Sequence, residues 1–204
     1  MRKQETFAIY GGTFSPPHLG HVHAAEAFYN AIAPDRLLII PSAIPPHKAP
    51  VLGAQIEDRL AMCRIAFSHI PQAEISEIEI FRSGKSYTVD TLRALEAENR
   101  RIVMLVGTDM FLTLDSWYCA EEIFARAEIA LIRRESNLET LSSIQEKLEV
   151  YRRDYGAIVH FVDILPFEIS STELRGRIAK GESVSGLLPN DVEAYIKKCH
   201  LYQS

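Results

Sequence analysis

The residues best suited to chemistry lie near the N-terminus, in the stretch Gly11-Gly12-Thr13-Phe14-Ser15-Pro16-Pro17-His18-Leu19-Gly20-His21. The two glycines let the chain turn tightly and let a ligand approach the backbone. Pro16 and Pro17 preset φ just ahead of a helix and surrender N–H groups that need no partner there. His18 and His21 are three apart, about one helical turn, so both rings can project to one side of a helix N-terminus, where the dipole favours negative charge. An imidazole, neutral or protonated, donates to phosphate oxygens. A polyphosphate is the guest this pattern predicts. Capping or partly buried imidazoles are the structural alternative. A histidine metal site would need more than His18, His21 and His23, and the one carboxylate nearby in sequence is Glu26.

The elements that must hold these residues follow from apolar periodicity. Short apolar runs at 7–10, 37–40, 102–106, 129–132 and 158–162 read as strands buried on both faces. Helical patterns separate them at Leu19–Ile32, 55–68, 89–98, 120–125, 141–153, 171–180 and 190–199, with Val89, Leu92 and Leu95 in three-residue spacing. Strands alternating with helices require crossover connections. The fold class is therefore α/β, a Rossmann-like parallel sheet flanked by helices that takes ligands at the carboxyl ends of its strands. The glycine stretch, following the run 7–10, stands at such an end.

A chain of 204 residues, 47% hydrophobic and 24% charged, has the composition of a globular protein able to bury a core. It reads as a single domain spanning 1–204, with a helical C-terminal part from about residue 170. A formal net charge of −5 disfavours nonspecific binding to nucleic acid or to anionic lipid, so an anion site must be local. The 3 cysteines are widely spaced and read as small buried apolar residues. With no secretory leader and no stretch able to span a bilayer, a cytoplasmic protein is expected. A homo-oligomer is left open.

Three further segments carry candidates. Ile169-Ser170-Ser171-Thr172-Glu173-Leu174-Arg175 reads first as a capped helix, with Ser170 or Ser171 as cap and Glu173 near a capping-box position. Arg175, taken to lie in the first turn, opposes the helix dipole and makes better sense beside an anion. Gly107-Thr108-Asp109 follows the run 102–106, and Asp109 is either a helix cap or an acceptor for ribose hydroxyls. Trp117, the only tryptophan, either packs or stacks on a flat heteroaromatic ring. The proline-rich segment 41–53 reads as a substrate-covering loop.

Taken together, Gly11-Gly12-Thr13-Phe14, His18-Leu19-Gly20-His21 and Ile169-Ser170-Ser171-Thr172 with Arg175 resemble the H-x-G-H nucleotidyltransferases, and among them the nicotinate-nucleotide adenylyltransferase family of bacteria. Pro45-Pro46-His47-Lys48, Ser86 to Leu92, Gly107-Thr108-Asp109 and Trp117-Tyr118 fit in order, so the resemblance runs almost the full length. It implies adenylyl transfer from ATP to nicotinate mononucleotide, forming deamido-NAD and pyrophosphate in NAD biosynthesis. It also implies roles for residues. His18 and His21 would contact the ATP phosphates and Thr13 would help to hold the transferred one. Arg175, Ser171 and Thr172 would bind the outer phosphates and the adenosine side. Asp109 would meet the ribose, and Lys48 would reach phosphate from the proline loop. Thr88, Trp117 and Tyr118 would form the nicotinate pocket. Gly11, Gly12, Phe14, Gly20, Gly107, Ile169 and Ser170 would line the ATP site. Mg²⁺ would arrive with ATP, since no carboxylate cage is apparent in the sequence.

Departures from that family pattern fall at Ser15, where aspartate is usual, at Pro17, where a branched apolar residue is usual, and after Arg133-Arg134, where Glu135-Ser136 replaces proline-glycine. Ser15 is expected to keep the turn by accepting from backbone N–H groups. The alternatives are another adenylyltransferase of the same fold, acting on nicotinamide mononucleotide or phosphopantetheine, and a non-catalytic nucleotide-binding regulator.

Overall fold

Aliphatic runs with no polar face become central strands because both of their faces can be covered, and the computed structural model bears this out. It describes residues 4–43, 53–82, 84–133, 137–164, 167 and 169–203. In chain order the elements are β1 (Glu5–Gly12), α1 (Leu19–Ile32), β2 (Arg36–Pro41), α2 (Ile56–Phe67), β3 (Ala73–Ile75), α3 (Thr88–Leu95), β4 (Arg100–Gly107), α4 (Thr108–Phe111), α5 (Ala120–Arg126), β5 (Glu128–Arg133), α6 (Leu138–Tyr155), β6 (Val159–Asp163), α7 (Ser171–Ala179) and α8 (Asn190–Lys198), with a tight 3₁₀ turn at Leu114–Ser116. Six strands form one sheet in the order β3-β2-β1-β4-β5-β6. The pairs β1–β4, β4–β5 and β5–β6 are parallel.

The strands of β2, β4 and β5 are buried over Leu37 to Ile40, Ile102 to Val106 and Ile129 to Ile132. The run 158–162 departs from expectation. β6 stands at the edge of the sheet, and Ile158 and Phe161 are 55% and 38% exposed, because an edge strand has a neighbour on one side only. Arg133 covers the Phe161 ring, its guanidinium carbon 4.4 Å from the ring centroid, and pairs with Asp163. β3, three residues long, is too short to carry a readable period and is not among the expected strands. It is held through the N–H of Ser76, which donates to the Ile39 carbonyl at 2.8 Å.

The chain separates into two compact units. The first comprises the described residues within 1–10, 27–38 and 87–166. Its central anchor is Tyr151 of α6, fully buried, whose hydroxyl donates to the Phe111 carbonyl at 2.7 Å and lies 3.2 Å from Asp115 Oδ1. Lys147 pairs with Asp115 from the same helix. Together they fix the segment 111–117. Val89, Leu92 and Leu95 bury the apolar face of α3, and Arg93 on its outer side ties α3 to Glu122 of α5.

The second unit comprises the described residues within 11–26, 39–86 and 167–204. Here α2 packs on α8, with the Tyr195 hydroxyl donating to Asp58 at 3.1 Å. α2 starts in a reciprocal cap between Gln55 and Asp58. The cysteines fit the apolar-core expectation at Cys63 alone; Cys119 is half-buried and Cys199 exposed.

Candidate active site

The stretch Gly11 to His21 lies wholly in the second unit; Gly11 and Gly12 are not themselves the turn but the last two residues of β1, and the chain turns directly after them. Four of the carbonyl groups in this stretch accept hydrogen bonds from elsewhere in the unit. Gly12 C=O accepts from the Ser42 N–H at 2.9 Å, Thr13 C=O from Arg59 Nη1 at 2.9 Å, Ser15 C=O from Arg175 Nη1 at 2.7 Å, and Pro16 C=O from the Ser171 hydroxyl at 3.0 Å. Tying these four carbonyl oxygens to donors removes dipole ends that would repel an anion. A Cβ placed on Gly11 would meet nothing within 4 Å, which leaves open space above the backbone there. Phe14 adopts a left-handed φ of 47° and buries its ring against Phe67 and the edge of His21.

The Ser15–Pro16 peptide is cis, and Ser15, Pro16 and Pro17 are buried. The Ser15 hydroxyl lies 2.9 Å from the phenol oxygen of Tyr202, not against a backbone N–H as expected from the sequence. Tyr202 is itself buried, and burial pushes its phenol up to about 12. The pair stays neutral through the physiological range.

His18 and His21 do share one face. Their rings stack with centroids 3.7 Å apart. His18 stands immediately before the helix, and its carbonyl accepts from the N–H of Val22. His21 Nδ1 accepts from the His18 N–H at 3.1 Å, so a neutral His21 carries its proton on Nε2. The capping alternative and the phosphate role therefore use different nitrogens of one ring. Gly20 is needed by packing: a Cβ there would stand 3.1 Å from the His18 imidazole and 3.2 Å from the Phe167 ring.

Helix α7 brings the distant segment to the turn within the same unit. Ser170 is its cap, accepting from the Glu173 N–H at 3.1 Å. Glu173 does not close a capping box; its carboxylate pairs with Arg177. Arg175 is the fifth residue of α7 and so belongs to the second turn, not the first. Its guanidinium reaches back to the Ser15 carbonyl and to Thr172 Oγ1, 3.1 Å away. Ser171 and Arg175 therefore touch the turn directly, Thr172 touches Arg175, and Ile169 is half-buried just before the cap.

The first unit holds the remaining candidates. Gly107, at the end of β4, caps α4, so Asp109 is not the cap but the second residue of that helix, exposed to solvent. A Cβ on Gly107 would also meet nothing within 4 Å. Trp117 closes the 3₁₀ turn and is half-buried, with Tyr118 beside it 58% exposed. The Tyr118 ring lies 4.8 Å from that of Tyr87, which precedes Thr88, the first residue of α3. Tyr87 occupies the cap position of α3. The Ser86 hydroxyl instead accepts from the Ala43 N–H. Lys48, with Pro45, Pro46 and most of the loop at 41–53, lies outside the described residues, as does Arg134.

The family model described as cytidylyltransferase-like matches residues 9–177, a span that takes in the glycine turn, both histidines and Arg175. The chain belongs to the cytidylyltransferase-like family. Among the relatives of this cytidylyltransferase-like chain is a probable nicotinate-nucleotide adenylyltransferase of Trichlorobacter lovleyi, 36% identical over 208 residues that cover 96% of this chain and 98% of the relative. A probable nicotinate-nucleotide adenylyltransferase of Marinobacter nauticus is 38% identical over 207 residues, covering 95% of each chain. The nicotinic acid mononucleotide adenylyltransferase of Plasmodium falciparum, solved in complex with NaAD, superposes with a TM-score of 0.77 over 97% of both chains at 18% identity. That superposition supports the nucleotidyltransferase fold.

Two residues at the turn carried no sequence signal. Arg59 and Tyr202 lie 46 and 187 residues from their partners Thr13 and Ser15. An arginine in an amphipathic helix and a tyrosine two residues from the chain's end look unremarkable until folding brings them in.

Proposed function

We propose that this chain transfers the adenylyl group of ATP to nicotinate mononucleotide. The 5′-phosphate oxygen of the mononucleotide attacks the α-phosphorus, the bond from that phosphorus to the bridging oxygen breaks, and pyrophosphate leaves with the electron pair. The products are deamido-NAD and pyrophosphate. The observation that carries the reading is the glycine stretch, with the Thr13 and Ser15 carbonyls tied to arginines and two stacked imidazoles beside it, in a chain matched over 96% of its length by a relative of that name.

The attacking group belongs to the substrate, so no nucleophilic side chain is required, and catalysis rests on alignment and on charge. In this reading His21 Nε2 and the His18 ring donate to phosphate oxygens as charge moves toward the leaving group. Thr13 and the turn N–H groups hold the transferred phosphate, while Arg175, Ser171 and Thr172 meet the outer phosphates. Asp109, exposed at the end of β4, accepts from ribose hydroxyls. Thr88, Trp117 and Tyr118 take the pyridine ring, and Lys48 takes a phosphate.

The donors beside the turn are imidazoles, guanidiniums, hydroxyls and N–H groups. This set suits phosphate oxygens and is a poor cage for a hard dication. Mg²⁺ is accordingly written as part of the nucleotide substrate, and no step is assigned to it. Among the described residues no helix is long and apolar enough to cross a membrane.

The test is pyrophosphate release from Mg-ATP with each acceptor in turn. Release is expected to be much faster with nicotinate mononucleotide than with nicotinamide mononucleotide or phosphopantetheine. Equal rates with both pyridine nucleotides would overturn the acceptor assignment, and no turnover with any acceptor would favour a nucleotide-binding regulator.

A further inference from the structure

Arg59 is the fourth residue of α2 and, at 5% exposed, a buried cation. Among the described residues its guanidinium makes one hydrogen bond, to the Thr13 carbonyl, and forms no ion pair with a carboxylate. Burial pulls its pKa below the usual arginine range, yet a guanidinium stays charged at neutral pH. Beyond that bond it feels the charge of Glu57 through space without pairing to it, and a buried charge so weakly compensated is costly. A fold keeps it at no loss where an anion completes the environment.

The bond to Thr13 also has a direction. Among the described residues the one cis peptide is Ser15–Pro16, so Thr13–Phe14 is trans. In a trans peptide the C=O and the following N–H point opposite ways. Anchoring the Thr13 carbonyl on Arg59 therefore turns the Phe14 N–H away from the guanidinium. Arg175 anchors the Ser15 carbonyl in the same manner, so two guanidiniums hold carbonyls two residues apart on one turn.

We propose that Arg59 is a positioning residue for the polyphosphate: through the Thr13 carbonyl it fixes the Thr13–Phe14 peptide and supplies positive charge that selects an anionic ligand. The inference rests on the adenylyl-transfer reading, since it needs a polyphosphate on the turn. It adds a fourth element to that site, α2, which no motif marks.

The test compares ligands that differ in charge. ATP, inorganic pyrophosphate and adenosine are titrated calorimetrically against the full chain as wild type, Arg59→Gln and Arg59→Lys. Arg59→Gln is expected to weaken ATP and pyrophosphate about tenfold or more while leaving adenosine unchanged. Arg59→Lys, which keeps the charge but lacks the planar fork, is expected to fall between. Thermal melting gives an independent readout. The Tm of ligand-free Arg59→Met is expected to match or exceed that of wild type, because the uncompensated charge is gone, whereas its rise with pyrophosphate shrinks. Equal weakening of ATP and adenosine, or an unchanged pyrophosphate affinity in Arg59→Gln, would reduce Arg59 to a packing residue and overturn the inference. Should Arg59→Gln not fold, the same comparison is read from Arg59→Lys. Wild-type chain that binds neither ATP nor pyrophosphate would overturn the adenylyl-transfer reading itself, so the two failures are told apart.

Discussion

Arg175 donates to the Ser15 carbonyl oxygen at 2.7 Å, joining residues separated by 160 positions. This single contact binds the glycine turn to helix α7, and with Ser171 on Pro16 it makes the two ends of the sequence one surface. The guanidinium retains further N–H groups for a ligand, because Arg presents five donors in a fixed fork.

Arg175→Ala should therefore act on both stability and turnover. Losing a charged hydrogen bond to a buried carbonyl is expected to cost about 1.5–3 kcal/mol of stability. Losing a donor to the developing charge is expected to lower kcat by about 10²–10³. Melting curves and pyrophosphate release measure the two effects separately. A variant with normal kcat would leave Arg175 a purely structural tether.

The two nitrogens of His21 can be separated by substitution. In His21→Asn the side-chain amide oxygen can accept from the His18 N–H in place of Nδ1, so Tm should stay close to that of wild type. The Nε2 donor is lost, and kcat should fall by about 10² or more. His21→Ala loses both functions, and its Tm should drop as well, by the cost of a cap, about 1 kcal/mol. For His18→Ala a fall in kcat far larger than the loss of ATP affinity is expected, because its contact strengthens in the transition state. Equal losses in both would make His18 a binding residue.

Acid stability is expected to depend on a cluster away from the turn. The Arg101 guanidinium, with His160 assisting, holds the Glu128 carboxyl below the usual carboxylate range, across β4, β5 and β6. A carboxyl with a lowered folded-state pKa stabilises above its unfolded pKa, and that contribution is lost as pH falls through the folded value. The Tm gap between wild type and Glu128→Gln should thus be full at pH 7 and should close as pH drops below about 4. A gap that does not change with pH would mean that packing, not charge, accounts for the difference.

Much of this molecule was legible in its residues. Helix Leu19–Ile32 follows from its periodicity and from the prolines before it, and the central strands follow from aliphatic runs with no polar face. Strand β6 was not legible in this way, because the run 158–162 has the composition of a covered strand but stands at an edge. Arg175 lies in the second turn of its helix and not the first: the expected start at residue 171 is the observed one, and about 3.6 residues per turn place its fifth residue past the first turn.

The sequence by itself determined the local chemistry: a glycine stretch before a helix, a histidine pair at helical spacing, and a capped helix carrying an arginine. Those features are set by φ preferences, by side-chain spacing and by donor type, all of which act between near neighbours. Tertiary structure decided which donors the turn would meet. Arg59, Ser171, Arg175 and Tyr202 reach it from 46 to 187 residues away. No local rule specifies such pairs, because they arise only when burying the apolar faces of α2, α7 and α8 brings their polar edges together. The Gly11 to His21 stretch carries its own local geometry, and the fold supplies the two arginines that tie its carbonyls.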